Sequence, residues 1–134
     1  MKLEKEEALR WLSQAEHNLK VARHNLDGGF YSDVCFMSEQ SAQVALKAFL
    51  IAKKRRRIVE HSVQELAAMC SQRDRDFEEF IEYGKILDRY YIPTRYPDAL
   101  ASPAVPYKTY NEEDALNAIS LAEKIIEAVR SKLK

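Results

Sequence analysis

The segment Asp88-Arg89-Tyr90-Tyr91-Ile92-Pro93-Thr94-Arg95-Tyr96-Pro97-Asp98 packs two arginines, three tyrosines and two prolines into eleven positions. Arginine grips a phosphate through forked, charge-assisted hydrogen bonds, and a tyrosine face stacks on a base. Arg89, Tyr91, Arg95 and Tyr96 are therefore the candidate nucleotide- or phosphate-binding residues. Pro93 and Pro97 fold the chain after Arg89 into a compact turn, which predicts both guanidinium groups on one cleft face. The competing reading is structural. Tyrosines and prolines would pin a long crossover to the body of the protein, with the arginines paired to Asp88 and Asp98.

A second cationic feature, Lys53-Lys54-Arg55-Arg56-Arg57, would suit a phosphate backbone. Without interleaved aromatics it reads more simply as a solvated helix end, where cations complement the helix dipole. His17 and His24 are two helical turns apart, roughly 10 Å along the axis, too far for one metal ion. The sequence contains no phosphate-binding glycine loop, G-x-S-x-G elbow or H-E-x-x-H helix. No catalytic residue, metal ligand or cofactor is assigned.

These residues are positioned by helices. Ala8, Leu12, Ala15, Leu19, Ala22 and Leu26 repeat at intervals of four and three, one stripe of a long helix over 3–26. Gly28 and Gly29 end it, and Ser32 is placed to cap a second helix over about 33–54. There Cys35, Ser38, Ala42, Ala45 and Phe49 form the stripe, widened by Leu46 and Leu50. Ser62 and Glu65 make a capping-box pattern for a short helix to about Cys70. Phe77, Phe80, Ile81, Ile86 and Leu87 predict a fourth long helix over 74–91. All four prolines then fall in a loop over 92–110. Asn111 caps the last helix, with Leu116, Ile119, Ala122, Ile126, Val129 and Leu133 as its buried stripe. The expected fold is all-α, an antiparallel up-and-down four-helix bundle with one extra short helix and a long Pro/Tyr-rich loop before the last helix.

The 134 residues suit a single domain over 1–134, and 21 basic residues balance 21 acidic ones. The neutral total gives no global attraction to nucleic acid or an acidic membrane, so any polyanion site is a local patch. Cys35 and Cys70 lack disulfide or zinc spacing, and no secretory or membrane-spanning segment is seen; a cytoplasmic protein with no membrane partner is expected. Val34, Phe36, Met37 and Trp11 lie beside the main stripes and predict a self-association surface, hence a homodimer.

The order of elements, with Glu39-Gln40-Ser41-Ala42-Gln43-Val44-Ala45-Leu46-Lys47-Ala48 on the second helix and Tyr90-Tyr91-Ile92-Pro93-Thr94-Arg95-Tyr96-Pro97-Asp98 before the last, resembles the prokaryotic HEPN domain family over nearly the whole chain. Gln43 stands where that family usually carries glutamate. The resemblance implies a helical bundle, often dimeric, similar to the substrate-binding helical domain of kanamycin nucleotidyltransferase. It also implies nucleotide or RNA binding and a small nucleotidyltransferase partner. Many members are metal-independent ribonucleases that use an arginine, four to six residues and a histidine at the start of the last long helix. That element is missing here. Arg55 and Arg56 precede His61, and Arg10 precedes His17, at similar intervals but elsewhere in the chain. The expected function is non-catalytic binding of nucleotide or RNA. The alternatives are a ribonuclease toxin of a toxin-antitoxin pair, using Arg56 and His61, and a pure protein-interaction module.

Overall fold

The computed structural model describes residues 2–55 and 57–134, and all regular elements among them are helical. Three helices dominate: α1 (Lys2–Asp27), α2 (Tyr31–Ala52) and α6 (Glu112–Leu133). Between α2 and α6 come α3 (Val63–Ser71), α4 (Phe80–Leu87) and α5 (Pro106–Thr109), with 3-10 turns at Arg75–Phe77, Asp88–Tyr90 and Pro97–Ala99. α2 runs through the middle of the bundle, packed on α1, α6 and α3, and α6 also touches α1.

The apolar stripes explain this packing. Ala8, Leu12, Ala15, Leu19 and Ala22 of α1 are buried, as are Cys35, Ala42, Ala45, Leu46, Phe49 and Leu50 of α2. Small residues at Ala15, Ala42 and Ala45 bring the helices close enough for the Ser41 hydroxyl to donate to the Ala15 carbonyl at 2.9 Å. Between α1 and α2 the chain reverses through Gly29, whose φ of +77° is the left-handed conformation open to glycine. Its N–H donates to the Leu26 carbonyl at 3.0 Å. Ion pairs of Arg130 with Glu16, at 2.6 Å, and of Arg23 with Glu123 tie α6 to α1.

The long helix expected over 74–91 is broken. Asp74 accepts from the Asp76 N–H and starts a 3-10 turn in its place. Gly84 of α4 then sits directly on the first turn of α3, where a Cβ would lie 2.4 Å from the Gln64 nitrogen. The fourth side of the bundle is thus the short pair α3 and α4 in place of one rod. Other boundaries also shift. Ser32 does not cap α2: Phe30 holds the cap position without a side-chain bond, and Ser32 is buried in the first turn. Leu116 is half exposed, and Ala115 and Ala118 take the buried positions in its place. Asn111 does cap α6, accepting from the Asp114 N–H at 2.9 Å while its own N–H donates to Asp114 at 3.0 Å.

Three of the four apolar residues expected at a self-association surface are used within the chain. Val34 is fully buried, Met37 packs on its cluster, and Phe36 lies beneath the 88–98 segment. Trp11 is half-buried beside Val44 in a groove on the α1–α2 face.

Candidate functional site

The floor of the site is one face of α2. Phe36, Glu39, Gln43 and Lys47 are spaced three, four and four apart, so they align on one stripe. Glu39 has no exposed surface, and its carboxylate accepts from Gln40 Nε2 at 2.7 Å and Gln43 Nε2 at 2.9 Å. Lys47 Nζ donates to Gln43 Oε1 at 3.2 Å. His61, on the extended approach to α3, brings Nδ1 to 3.1 Å from Gln43 Oε1 and 3.4 Å from Lys47 Nζ. That nitrogen donates to the amide or accepts from the ammonium, according to its tautomer.

Burial pushes the Glu39 carboxyl up to about 7, against the pull of the two glutamine donors and of Arg95. Burial also lowers the Lys47 ammonium below its ordinary value, while Glu39 and Glu60 oppose that shift. The polar row therefore carries a carboxyl and an amine whose charges are both disfavoured by their surroundings.

The segment 88–98 covers this floor. Asp88 is an anchor: it accepts from Ser62 Oγ at 2.7 Å, the Val63 N–H at 2.6 Å and the Gln64 N–H at 3.2 Å. These are the start of α3, where helix N–H groups lack intrahelical partners and a negative charge is favoured. Tyr90 is buried edge-on against Tyr110, its hydroxyl pushed up to about 12 by burial. The Thr94 hydroxyl donates back to the Tyr90 carbonyl and closes the turn. Arg95 follows, with Nε donating to the Tyr91 carbonyl at 3.0 Å.

That bond fixes the guanidinium among three rings, 4.5 Å from the Phe36 centroid, 5.0 Å from Tyr91 and 4.9 Å from Tyr96. Tyr91 also lies near-parallel to His61, at 6.4 Å and 18°. Arg95 is exposed, and among the described residues it forms no ion pair with a carboxylate. Its terminal nitrogens keep their donors for a ligand.

Of the residues singled out from sequence, Tyr91, Arg95 and Tyr96 come together. Arg89 stands apart: it is exposed on the 3-10 turn and makes no hydrogen bond, ion pair or stacking contact with the cluster among the described residues. Neither arginine pairs with Asp88, whose carboxylate is spent on α3, or with Asp98. Arg56 lies outside the described residues, while Lys53, Lys54, Arg55 and Arg57 are exposed. Among the described residues no group of three His, Cys, Asp or Glu side chains is placed to hold a metal ion. Cys35 and Cys70 are buried free thiols, each pushed up to about 12 by burial.

The row Glu39, Gln43 and Lys47 has no place in the sequence-based site. Its signal was present: polar residues at four-residue spacing inside a helix that is otherwise apolar on nearly every side. Such a row reads as a solvated face until α3 and the 88–98 segment are seen to cover it.

Fold and site together define an all-α bundle that holds one cation among aromatic rings above a buried polar row. The profile of the HEPN domain matches residues 8–132. The chain belongs to the HEPN domain family. Its backbone is similar to the crystal structure of TT1696 from Thermus thermophilus, with a TM-score of 0.82 and 38% identity, covering 93% of this chain and 97% of that one. Human sacsin is 29% identical over 123 residues, which are 90% of this chain but only 3% of sacsin. MJ1304 of Methanocaldococcus jannaschii, named as a candidate toxin, is 28% identical over 131 residues, 92% of this chain and 86% of that protein. No described helix is long and apolar enough to cross a membrane.

Proposed function

We propose that this HEPN domain binds a nucleotide or an RNA phosphate without cleaving it, through Arg95 with Tyr91 and Tyr96. The observation that carries the reading is the Arg95 guanidinium, held over three rings, exposed and unpaired with any carboxylate among the described residues. A cation so fixed loses little side-chain freedom when a phosphate arrives, and the tyrosine faces offer stacking to a base. Lys47 and His61 add donors at the inner edge. Arg89, outside the cluster, contributes only long-range charge. The domain works in a reducing cytoplasm as a homodimer or beside a small nucleotidyltransferase; the Trp11 groove is the surface left for such a partner, and a copurified nucleotidyltransferase would identify it. Titration with AMP and with a short oligoadenylate tests the binding. Saturable binding that Arg95→Ala weakens by about tenfold or more is expected, since charge-assisted bonds contribute about 1.5 to 3 kcal/mol each.

A second reading, a metal-independent ribonuclease, is favoured by one observation: His61 reaches the same cluster, within 3.4 Å of Lys47 Nζ. It draws support from the toxin name of MJ1304. Degradation of RNA by the purified protein in chelator, abolished by His61→Ala, would establish it in place of the first.

A further inference from the structure

Arg95 also borders a cleft of about 500 Å³ between the start of α2 and residues 94–107, together with Ser32, Asp33, Thr94 and Tyr107. Three kinds of donor converge there. The first turn of α2 has no side-chain cap, so the N–H groups of Tyr31, Ser32 and Asp33 have no intrahelical acceptor. The Ser32 side chain lines the cleft although the residue is only 3% exposed, and its hydroxyl takes no hydrogen-bond partner among the described residues. A hydroxyl on the wall of a cleft with no protein partner is open to donate to a group seated there. The third donor is the Arg95 guanidinium.

We infer that the cleft seats the terminal phosphomonoester of a ribonucleotide, an assignment that rests on the nucleotide-binding reading above and names its ligand. A phosphomonoester brings three unsubstituted oxygens, enough to accept from the guanidinium, the Ser32 hydroxyl and the α2 N–H groups together. An internal phosphodiester has two, and its chain must leave in both directions past a nearly buried serine. Asp33, the acidic side chain on the border, opposes a polyanion lying across the cleft. It accepts instead from the hydroxyls of an attached ribose. Tyr107, 69% exposed, presents a ring face to the base.

The test compares three probes on the unaltered protein: a short oligoadenylate with a 5′-phosphate, the same oligonucleotide with a 5′-hydroxyl, and AMP. The 5′-phosphate should tighten oligonucleotide binding by about tenfold or more. Ser32→Ala should erase most of that preference, whereas Arg95→Ala should weaken binding of every probe. AMP binding as tightly as the 5′-phosphorylated oligonucleotide makes a free nucleotide the ligand; tighter binding of the oligonucleotide makes it an RNA end. Both support the assignment. Amide resonances of Tyr31, Ser32 and Asp33 should shift on addition of AMP, a readout that needs no variant. Equal binding of the two oligonucleotides, still dependent on Arg95, overturns the phosphomonoester site and leaves the nucleotide reading standing. A preference untouched in folded Ser32→Ala also overturns the site. No binding of any probe overturns both.

Discussion

The two halves of the segment from Asp88 to Tyr96 have similar compositions, each with an arginine and tyrosine, but different attachments. In the first half, Asp88 is bonded to the start of α3 and Tyr90 is buried against Tyr110, so Arg89 is carried on a structural joint. In the second half the backbone is turned by the Thr94 hydroxyl, and the side chains of Tyr91, Arg95 and Tyr96 gather over Phe36 at the surface. Anchoring and binding were competing readings of the whole segment. The contacts divide along it: the acidic and tyrosine contacts of the first half anchor the turn that presents the second, where the proposed binding residues gather.

Damage to the joint should have the largest effect on stability. Gly84→Ala would place a methyl group 2.4 Å from the Gln64 nitrogen, against backbone that cannot swing away. A loss of about 3 kcal/mol is expected, despite the better helix propensity of alanine. Asp88→Ala removes three acceptor contacts from the start of α3 and should cost about 2 to 3 kcal/mol, with Asp88→Asn recovering part. Chemical denaturation of the three variants checks both. A joint variant as stable as the parent would erase the distinction between the halves.

Next in size is the pH dependence set by Glu39, beneath the second half. Its carboxyl is raised from 4.5 to about 7, so the folded state binds more protons than the unfolded state between those values. The stability it contributes is therefore fully present below about 4.5 and is lost as pH rises through about 7. The loss is about 3 kcal/mol at most. Glu39→Gln should flatten this slope and make the protein more stable than the parent at pH 8. Denaturation midpoints measured from pH 4.5 to 8 decide it.

The smallest effect on stability belongs to the second half itself. Arg95→Ala forfeits exposed cation–aromatic contacts and should cost about 1 kcal/mol or less. A larger loss in a thermal melt would mean that Arg95 holds the fold.

The helical stripes were legible because their three- and four-residue spacing follows from the helix itself. Leu116 misled because Ala115 and Ala118, one residue before and two after it, point inward with less apolar bulk. The break in the stretch 74–91 begins at the Asp74 cap, but the packing of α4 on α3 was not legible: Gly84 and Asp88 meet Val63 and Gln64, twenty or more residues away. That Tyr91, Arg95 and Tyr96 come together was legible, since the prolines on either side compact the loop and bring neighbouring side chains close. Arg89 could not be separated from Arg95, because only the burial of Tyr90 and the bonds of Asp88 turn that part of the chain into a joint. Glu39, Gln43 and Lys47 were visible as part of a helix motif, but their place beneath Arg95 was not, because burial of a polar row depends on what covers it.

The proposed binding resides in Arg95 and not in Arg89. Dissociation constants for AMP and a 5′-phosphorylated oligoadenylate, measured on the parent, Arg95→Ala and Arg89→Ala, test it most directly. A loss of about tenfold or more is expected for Arg95→Ala and a change within about threefold for Arg89→Ala, with both variants folded. Equal losses in the two variants, or parental binding by Arg95→Ala, would contradict it.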